Sequence, residues 1–220
     1  MRRIELISRA YEGSLRREDV ALSEKELLDA IATEVIVCPK CRLSKSRKNA
    51  VPGEGSSDSP IMFVGEAPGY WEDMKGKPFV GAAGKFLTVL IAELGLSRSD
   101  VFITNIVKCR PPRNREPSPD EIEICAPYLN RQIMLIQPKF IVTLGNHSTA
   151  YIFSKASLSF SGITQARGKF FETSALDMNV TVFPTFHPAA ALYSAKYKEQ
   201  ITKDFQLLKE EFIKRRIIKH

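Results

Sequence analysis

Ile61-Met62-Phe63-Val64-Gly65-Glu66-Ala67-Pro68-Gly69 joins a short apolar run to a loop punctuated by glycine and proline. The run is rich in β-formers, is bounded by Pro60 and Gly65, and reads as a buried strand. The loop continues through Tyr70-Trp71-Glu72-Asp73 to Pro78-Phe79-Val80-Gly81. A helical pattern follows, with Phe86, Leu87, Leu90, Ile91 and Leu94 on one face. Glu66 and Glu72 therefore stand just past the carboxyl end of a central strand, where open α/β sheets bind their ligands. Strand-to-helix connections usually take a handful of residues and this one runs to roughly twenty, which marks a functional loop rather than a plain connection.

The pattern repeats outward from there. Val101-Phe102-Ile103-Thr104-Asn105-Ile106-Val107 reads as a second buried strand, interrupted by Asn105. A basic, proline-stiffened loop follows, Lys108-Cys109-Arg110-Pro111-Pro112-Arg113-Asn114-Arg115. Ser118, Pro119 and Glu121 have the placement of a helix cap, a first-turn proline and a capping box, and the helix runs to about Ile136. Phe140 to Leu144 is a third strand and Val180 to Thr185 a fourth, with a small strand at Lys169 to Glu172 between them. The fourth strand delivers His187-Pro188-Ala189, and a long Lys- and Arg-rich helix closes the chain from about Ala195. Upstream, Ser23 and Glu26 have capping-box spacing for a helix that ends near Cys38-Pro39. Alternating strands and helices imply a largely parallel sheet covered on both faces. The expected architecture is α/β, a three-layer α/β/α sandwich on four parallel strands. Residues 1–22 read as an N-terminal extension, and 23–220 as one domain ending in the basic helix.

The chain has 220 residues, of which 44% are hydrophobic and 26% charged, the balance of a globular domain. Its net charge of +7 favours an anionic partner such as nucleic acid, although charge alone says little about which. No apolar run has the length of a membrane span, and Met1-Arg2-Arg3-Ile4-Glu5-Leu6 lacks a signal core, so the expected location is the cytoplasm. The four cysteines, a close Cys38-x-x-Cys41 pair and single Cys109 and Cys125, do not read as a disulfide set in that compartment.

Strand polarity brings Glu66, Asn105 and His187 to one sheet edge. Asn105 at a strand end presents a fixed amide, a donor and an acceptor, which matches the Watson–Crick edge of a base; alone it equally suits tying down backbone. Phe79 in its Gly-flanked loop is able to stack on a base face, although by itself it reads as core. His187 is placed to donate to charge developing on a leaving group, although a lone loop histidine is often structural.

Together the stretches Gly65-Glu66-Ala67-Pro68-Gly69, Pro78-Phe79-Val80-Gly81, Thr104-Asn105-Ile106-Val107-Lys108-Cys109 and His187-Pro188-Ala189 resemble the uracil-DNA glycosylase superfamily. The cysteine arrangement resembles its thermostable iron–sulfur family, family 4. The resemblance implies that Phe79 stacks on an extruded uracil, Asn105 reads its edge, with Ala67 in the same subsite, and His187 hydrogen-bonds the departing base. It implies that Glu66 orients or activates water and that Glu72 polarises the site or excludes larger bases. Cys38, Cys41, Cys109 and Cys125 would hold a [4Fe–4S] cluster. Family 1 has an Asp at the place of Ala67 and a Tyr at the place of Gly69, so the water-activating group and the means of rejecting thymine are open here. Ala191 or Leu192 occupies the region of the family's DNA wedge, and Arg110, Arg113 and Arg115 are the candidate phosphate contacts. The implied substrate is uracil-containing DNA, single- or double-stranded, met by a monomer away from any membrane; no segment reads as a sliding-clamp motif. A binding-only module for damaged DNA and a zinc-stabilised enzyme acting on free nucleotides are the rival readings; four thiolates suit zinc as well.

Overall fold

A computed structural model describes residues 22–218. The expected extension at 1–22 lies outside them, apart from Leu22. Six strands form one sheet: β1 (Glu54–Gly55), β2 (Ile61–Gly65), β3 (Phe102–Asn105), β4 (Phe140–Leu144), β5 (Phe171–Ala175) and β6 (Met178–Thr185), in the order β1-β3-β2-β4-β6-β5. The inner four, β3-β2-β4-β6, are mutually parallel, as the sequence implies. The edges differ from expectation. β1 runs antiparallel to β3, and β5 antiparallel to β6. A two-residue strand inside a Gly- and Ser-rich stretch has no periodicity to read. β5 begins at Phe171, so it starts and ends later than the small strand read at Lys169 to Glu172.

The helices are α1 (Glu24–Val37), α2 (Tyr70–Lys75), α3 (Ala82–Glu93), α4 (Pro119–Ile136), α5 (Asn146–Lys155), α6 (Ile163–Ala166) and α7 (Ala195–Lys214). The capping boxes form as read: Ser23 N–H donates to Glu26 Oε2 at 2.8 Å, and Ser118 N–H to Glu121 Oε2 at 2.9 Å. Within the long loop the chain makes one extra short helix, α2, and α3 starts at Ala82.

Alternation along β2 sends side chains to both faces. Met62 and Val64 join a core with Leu28, Ile31 and Val35 of α1 and Leu129 and Ile133 of α4. Ile61 and Phe63 join a second core with Leu87 and Leu90 of α3 and Phe205 and Phe212 of α7. Each such buried side chain contributes roughly 1.5–3 kcal/mol, so both helical layers are held independently and the strand ends between them are set in place. No helix among the described residues is long and apolar enough to cross a membrane.

Candidate active site

The parallel strands bring their carboxyl ends to one edge, and a cavity of about 310 Å³ opens there. Glu66, Ala67, Glu72, Phe79, Asn105 and His187, all singled out from the sequence, line it. The register explains the convergence: Gly65, last in β2, pairs with Asn105, last in β3.

Asn105 is 1% exposed, and its Oδ1 is the one buried side-chain oxygen or nitrogen among the described residues with no hydrogen-bond partner. Leaving such an acceptor unmade costs on the order of 1–3 kcal/mol. Gly65 makes room for it: a Cβ there would stand 2.3 Å from Asn105 Oδ1 and 2.6 Å from Phe79 Cζ.

Phe79 adopts φ 50°, a left-handed conformation that costs a non-glycine residue energy. Three contacts hold it. Arg98 Nη2 donates to Pro78 O at 2.7 Å and Nη1 to Phe79 O at 3.2 Å, while the same guanidinium is braced by Glu54. Glu72 Oε1 accepts from Val80 N–H at 2.8 Å and Gly81 N–H at 2.9 Å. Gly84 lets α3 approach, since a Cβ there would lie 1.9 Å from Phe79 O. Arg98 and Glu54 escaped the sequence reading because their importance rests on a turn far along the chain. Glu72 is in the cavity as read, with one carboxylate oxygen committed to the backbone of the loop that carries Phe79.

His187 closes the opposite wall, its ring centroid 5.6 Å from that of Phe79. Its Nδ1 accepts from Ala189 N–H at 3.1 Å, so the neutral ring carries its proton on Nε2. Burial pulls the imidazole down to about 4, against the pull of Glu72, so the ring is a neutral donor near pH 7. Below it, buried Asp204 takes Thr185 Oγ1–H at 2.6 Å and an ion pair from Arg167, fixing the end of β6.

Glu66 is half-buried and its carboxyl is raised above the ordinary range, chiefly by desolvation, with His147 opposing and Glu116 adding to the shift. His147 Nε2 lies 3.9 Å from Glu66 Oε2 and 3.2 Å from Glu116 Oε1. His147 was not singled out from the sequence; its place beside Glu66 comes from the β4–β2 pairing.

The arginine loop divides. Arg115 Nη1 and Nη2 grip the buried carboxylate of Glu121 at 2.8 and 2.6 Å, holding it far below the ordinary carboxylate range. Arg110 Nε donates to Asn114 Oδ1 at 2.7 Å, and Arg113 is exposed at φ 56°. On the short 3₁₀ helix Pro188–Leu192, Ala191 is partly buried against the core and Leu192 is 49% exposed.

The four cysteines, all unbridged, ring a second cavity behind β3, with Arg47, Lys108 and Tyr128 in its wall. Arg47 Nη1 donates to Cys109 Sγ at 3.0 Å and Lys108 N–H to Cys125 Sγ at 3.2 Å. Among the described residues no three His, Cys, Asp or Glu stand close enough to hold a metal ion.

Residues 52–209 match the sequence profile of the Uracil DNA glycosylase superfamily. A type-4 uracil-DNA glycosylase of Saccharolobus solfataricus is 58% identical over 184 residues, covering 83% of this chain and 85% of the relative. The type-4 enzyme of Archaeoglobus fulgidus is 48% identical over 84% of this chain and 93% of its own length. That of Thermotoga maritima is 42% identical over 77% of this chain and 85% of its own.

Proposed function

Because this chain belongs to the type-4 branch of the uracil-DNA glycosylase superfamily, we propose a division of labour among the residues of its cavity. The enzyme hydrolyses the N-glycosidic bond of uracil in DNA and leaves an abasic site, the opening step of base excision repair.

The observation that carries the assignment is the unpartnered Oδ1 of Asn105. Uracil carries a hydrogen on N3, and that N–H satisfies the acceptor. Cytosine has a bare lone pair there and would set two acceptors face to face. Phe79 supplies the stacking surface, held in its costly backbone conformation by Arg98, Glu72 and Gly84. Ala67 lines the same subsite and, being small, leaves the space open.

Bond breaking places positive charge on the sugar and negative charge on the base, and preorganised groups at both ends give the largest gain. His187, neutral with its proton on Nε2, donates to the uracil oxygen as charge collects there. Glu66 holds the water and faces the cationic sugar; its carboxylate makes no short bond to the backbone, whereas Glu72 is spent on Val80 and Gly81. We assign water to Glu66 and loop positioning to Glu72 on that ground. Arg110 and Arg113 meet phosphates, and Leu192, the more exposed of the two wedge candidates, fills the gap left by the extruded base. Single strands and duplexes both present such a base to a monomer.

Cys38, Cys41, Cys109 and Cys125 would hold a [4Fe–4S] cluster. Four thiols line one cavity, and Cys109 and Cys125 stand singly along the chain, unlike the two close pairs common in structural zinc sites, which supports a cluster over tetrahedral zinc. The cluster would act as a clip between the segment after α1, the loop after β3 and helix α4. A cytoplasmic location, where thiols stay reduced, agrees with this. Stoichiometric zinc without iron in anaerobically purified protein would remove the cluster from this account.

The functional test is an alkali-cleavage assay on an oligonucleotide containing one uracil, beside the same strand with thymine or cytosine. Cleavage confined to the uracil strand is expected. Binding without strand scission would reduce the protein to a damage reader, and release of uracil from nucleotides alone would make it a nucleotide enzyme.

A further inference from the structure

Two aromatic rings stand at the mouth of the uracil pocket and serve no core. Tyr70 and Trp71 open α2 directly after Gly69, which lines the pocket, and they are 47% and 55% exposed. Their rings meet edge to face with centroids 5.2 Å apart. Single exposed apolar residues are ordinary on a surface, but a joined pair beside a binding cavity is a feature to account for.

The pair is held rigidly in this exposed position. Buried Asp73 accepts from Lys48 N–H at 2.8 Å and Asn49 N–H at 3.2 Å, which pins the middle of α2. Glu72 ties the same turn to Val80 and Gly81. Trp71 lies over Gly81, where an added Cβ would come 3.3 Å from its Cδ1.

The surroundings are cationic. The Arg110 guanidinium lies over the Tyr70 ring at 5.0 Å, and it is steadied by Asn114, which lines the pocket along with Pro111. Lys75 and Lys77 follow on the same segment, both exposed. The two acids of α2, Glu72 and Asp73, are both engaged by backbone N–H groups, so the exposed face is aromatic and basic.

Flat rings flanked by cations, continuous with a pocket that takes one base, fit the next base of the same molecule. Phosphate contacts alone would need no rings; every base, whatever its identity, has a π-face. Extruding uracil also leaves a neighbour unstacked on one side. We propose that Tyr70, Trp71 and Arg110 form a stacking ledge for an unpaired nucleobase flanking the extruded uracil. The ledge favours single-stranded or locally opened DNA over a fully paired duplex. It rests on the pocket's reading as a uracil site, and its test is independent of excision.

Trp71 is the only tryptophan in the chain, so the intrinsic indole emission reports on this one place. Titration with a short single-stranded oligodeoxynucleotide lacking uracil should quench it, because a base stacks on the indole. Inorganic polyphosphate, a polyanion without bases, should not. Trp71→Ala should weaken binding to that oligonucleotide about tenfold, within the range for a lost base–aromatic stack. Trp71→Phe should restore most of it. The slope of affinity against salt should stay parental in both, since stacking releases no counterions. Equal quenching by polyphosphate, or parental affinity in Trp71→Ala, overturns the ledge and leaves the rings for a protein partner. If either occurs in protein that still excises uracil, the glycosylase assignment stands untouched; failure to excise uracil would strike that assignment instead.

Discussion

Asn105 and Lys108 sit three residues apart, each 1% exposed, on opposite sides of the same chain turn. On the cysteine side Lys108 spends all three ammonium donors, on Thr104 Oγ1 at 2.6 Å, Asn105 O at 2.8 Å and Gln132 Oε1 at 2.7 Å. On the pocket side Asn105 Oδ1 has nothing. Buried polar groups are satisfied in almost every native interior, so the exception is where a ligand belongs. Within one short segment a closed network holds the strand end, while an open acceptor faces the pocket, where the proposed function has it read the base.

The strongest way to break this contrast is to disarm the pocket without touching the fold. His187→Ala should lower single-turnover excision by about 10²–10³-fold, and Glu66→Gln by about 10²-fold, with melting curves near parental. Glu72→Gln keeps a carbonyl acceptor for Val80 and Gly81 and should retain most activity. Full activity in Glu66→Gln beside an inactive Glu72→Gln would transfer the water to Glu72. The pH profile carries the same division. In the proposed water-holding role Glu66 is ionised, and its carboxyl is raised above 4.5, so the rate should climb with pH through a range above that value. His187 takes up a proton only near 4, so no inflection from it is expected around 6.5.

Lys108→Met tests the closed side. It takes the ammonium donor from Asn105 O and leaves Gln132 Oε1 only the longer bond from Thr104 Oγ1 at 3.3 Å, at on the order of 1–3 kcal/mol for each lost donor. Denaturant unfolding should show a loss of roughly 3 kcal/mol. A variant of parental stability that loses only excision would place Lys108 with the pocket.

Asn105→Ala is the mirror experiment. It should cost excision about 1.5–3 kcal/mol, the worth of a hydrogen bond to a charged group. Because Oδ1 has no partner to lose, stability should be unchanged or slightly higher. Asn105→Asp should admit some cytosine, since a protonated acid offers a donor. Parental uracil excision by Asn105→Ala would end the base-reading assignment.

Phe79→Ala should cost about 1–3 kcal/mol of excision through lost stacking. Arg98→Ala should cost less, near tenfold at roughly 1.4 kcal/mol, by releasing the Pro78 and Phe79 carbonyls. Arg98→Lys should recover part of that loss; if neither Arg98 variant changes the rate, the backbone of Phe79 holds itself.

The smallest effect concerns salt. Arg113→Ala should flatten the dependence of DNA affinity on salt by nearly one unit of slope. Arg115→Ala, whose guanidinium is bound to Glu121, should show in stability first. A slope change only in Arg115→Ala would exchange the two roles.

The strands β2, β3, β4 and β6, the caps at Ser23 and Ser118, and Glu66, Ala67, Glu72, Phe79, Asn105 and His187 of the pocket lining were legible in the chain. Apolar runs and capping signals act over a few residues, and strand polarity then sends Glu66, Asn105 and His187 to one edge. Helix α2 was not legible, because glycine and proline on both sides of Tyr70–Lys75 read as loop, and its stability comes from Asp73 meeting Lys48 and Asn49. Edge strand β1 was missed, and β5 was read only as a small strand at Lys169 to Glu172 without its antiparallel pairing, because short edge pairing depends on what the neighbouring strand offers.

By itself, then, the sequence determined the parallel α/β layering, the family and six of the side chains around the pocket, since periodicity and local motifs are written in neighbouring residues. Only the tertiary structure decided what each of them touches. It left Asn105 Oδ1 open, closed Lys108, tied Glu72 to the loop, set His147 beside Glu66 and braced Phe79 with Arg98 and Glu54. Those outcomes depend on hydrogen-bond partners from distant segments, and which donor meets which acceptor is settled when the layers pack.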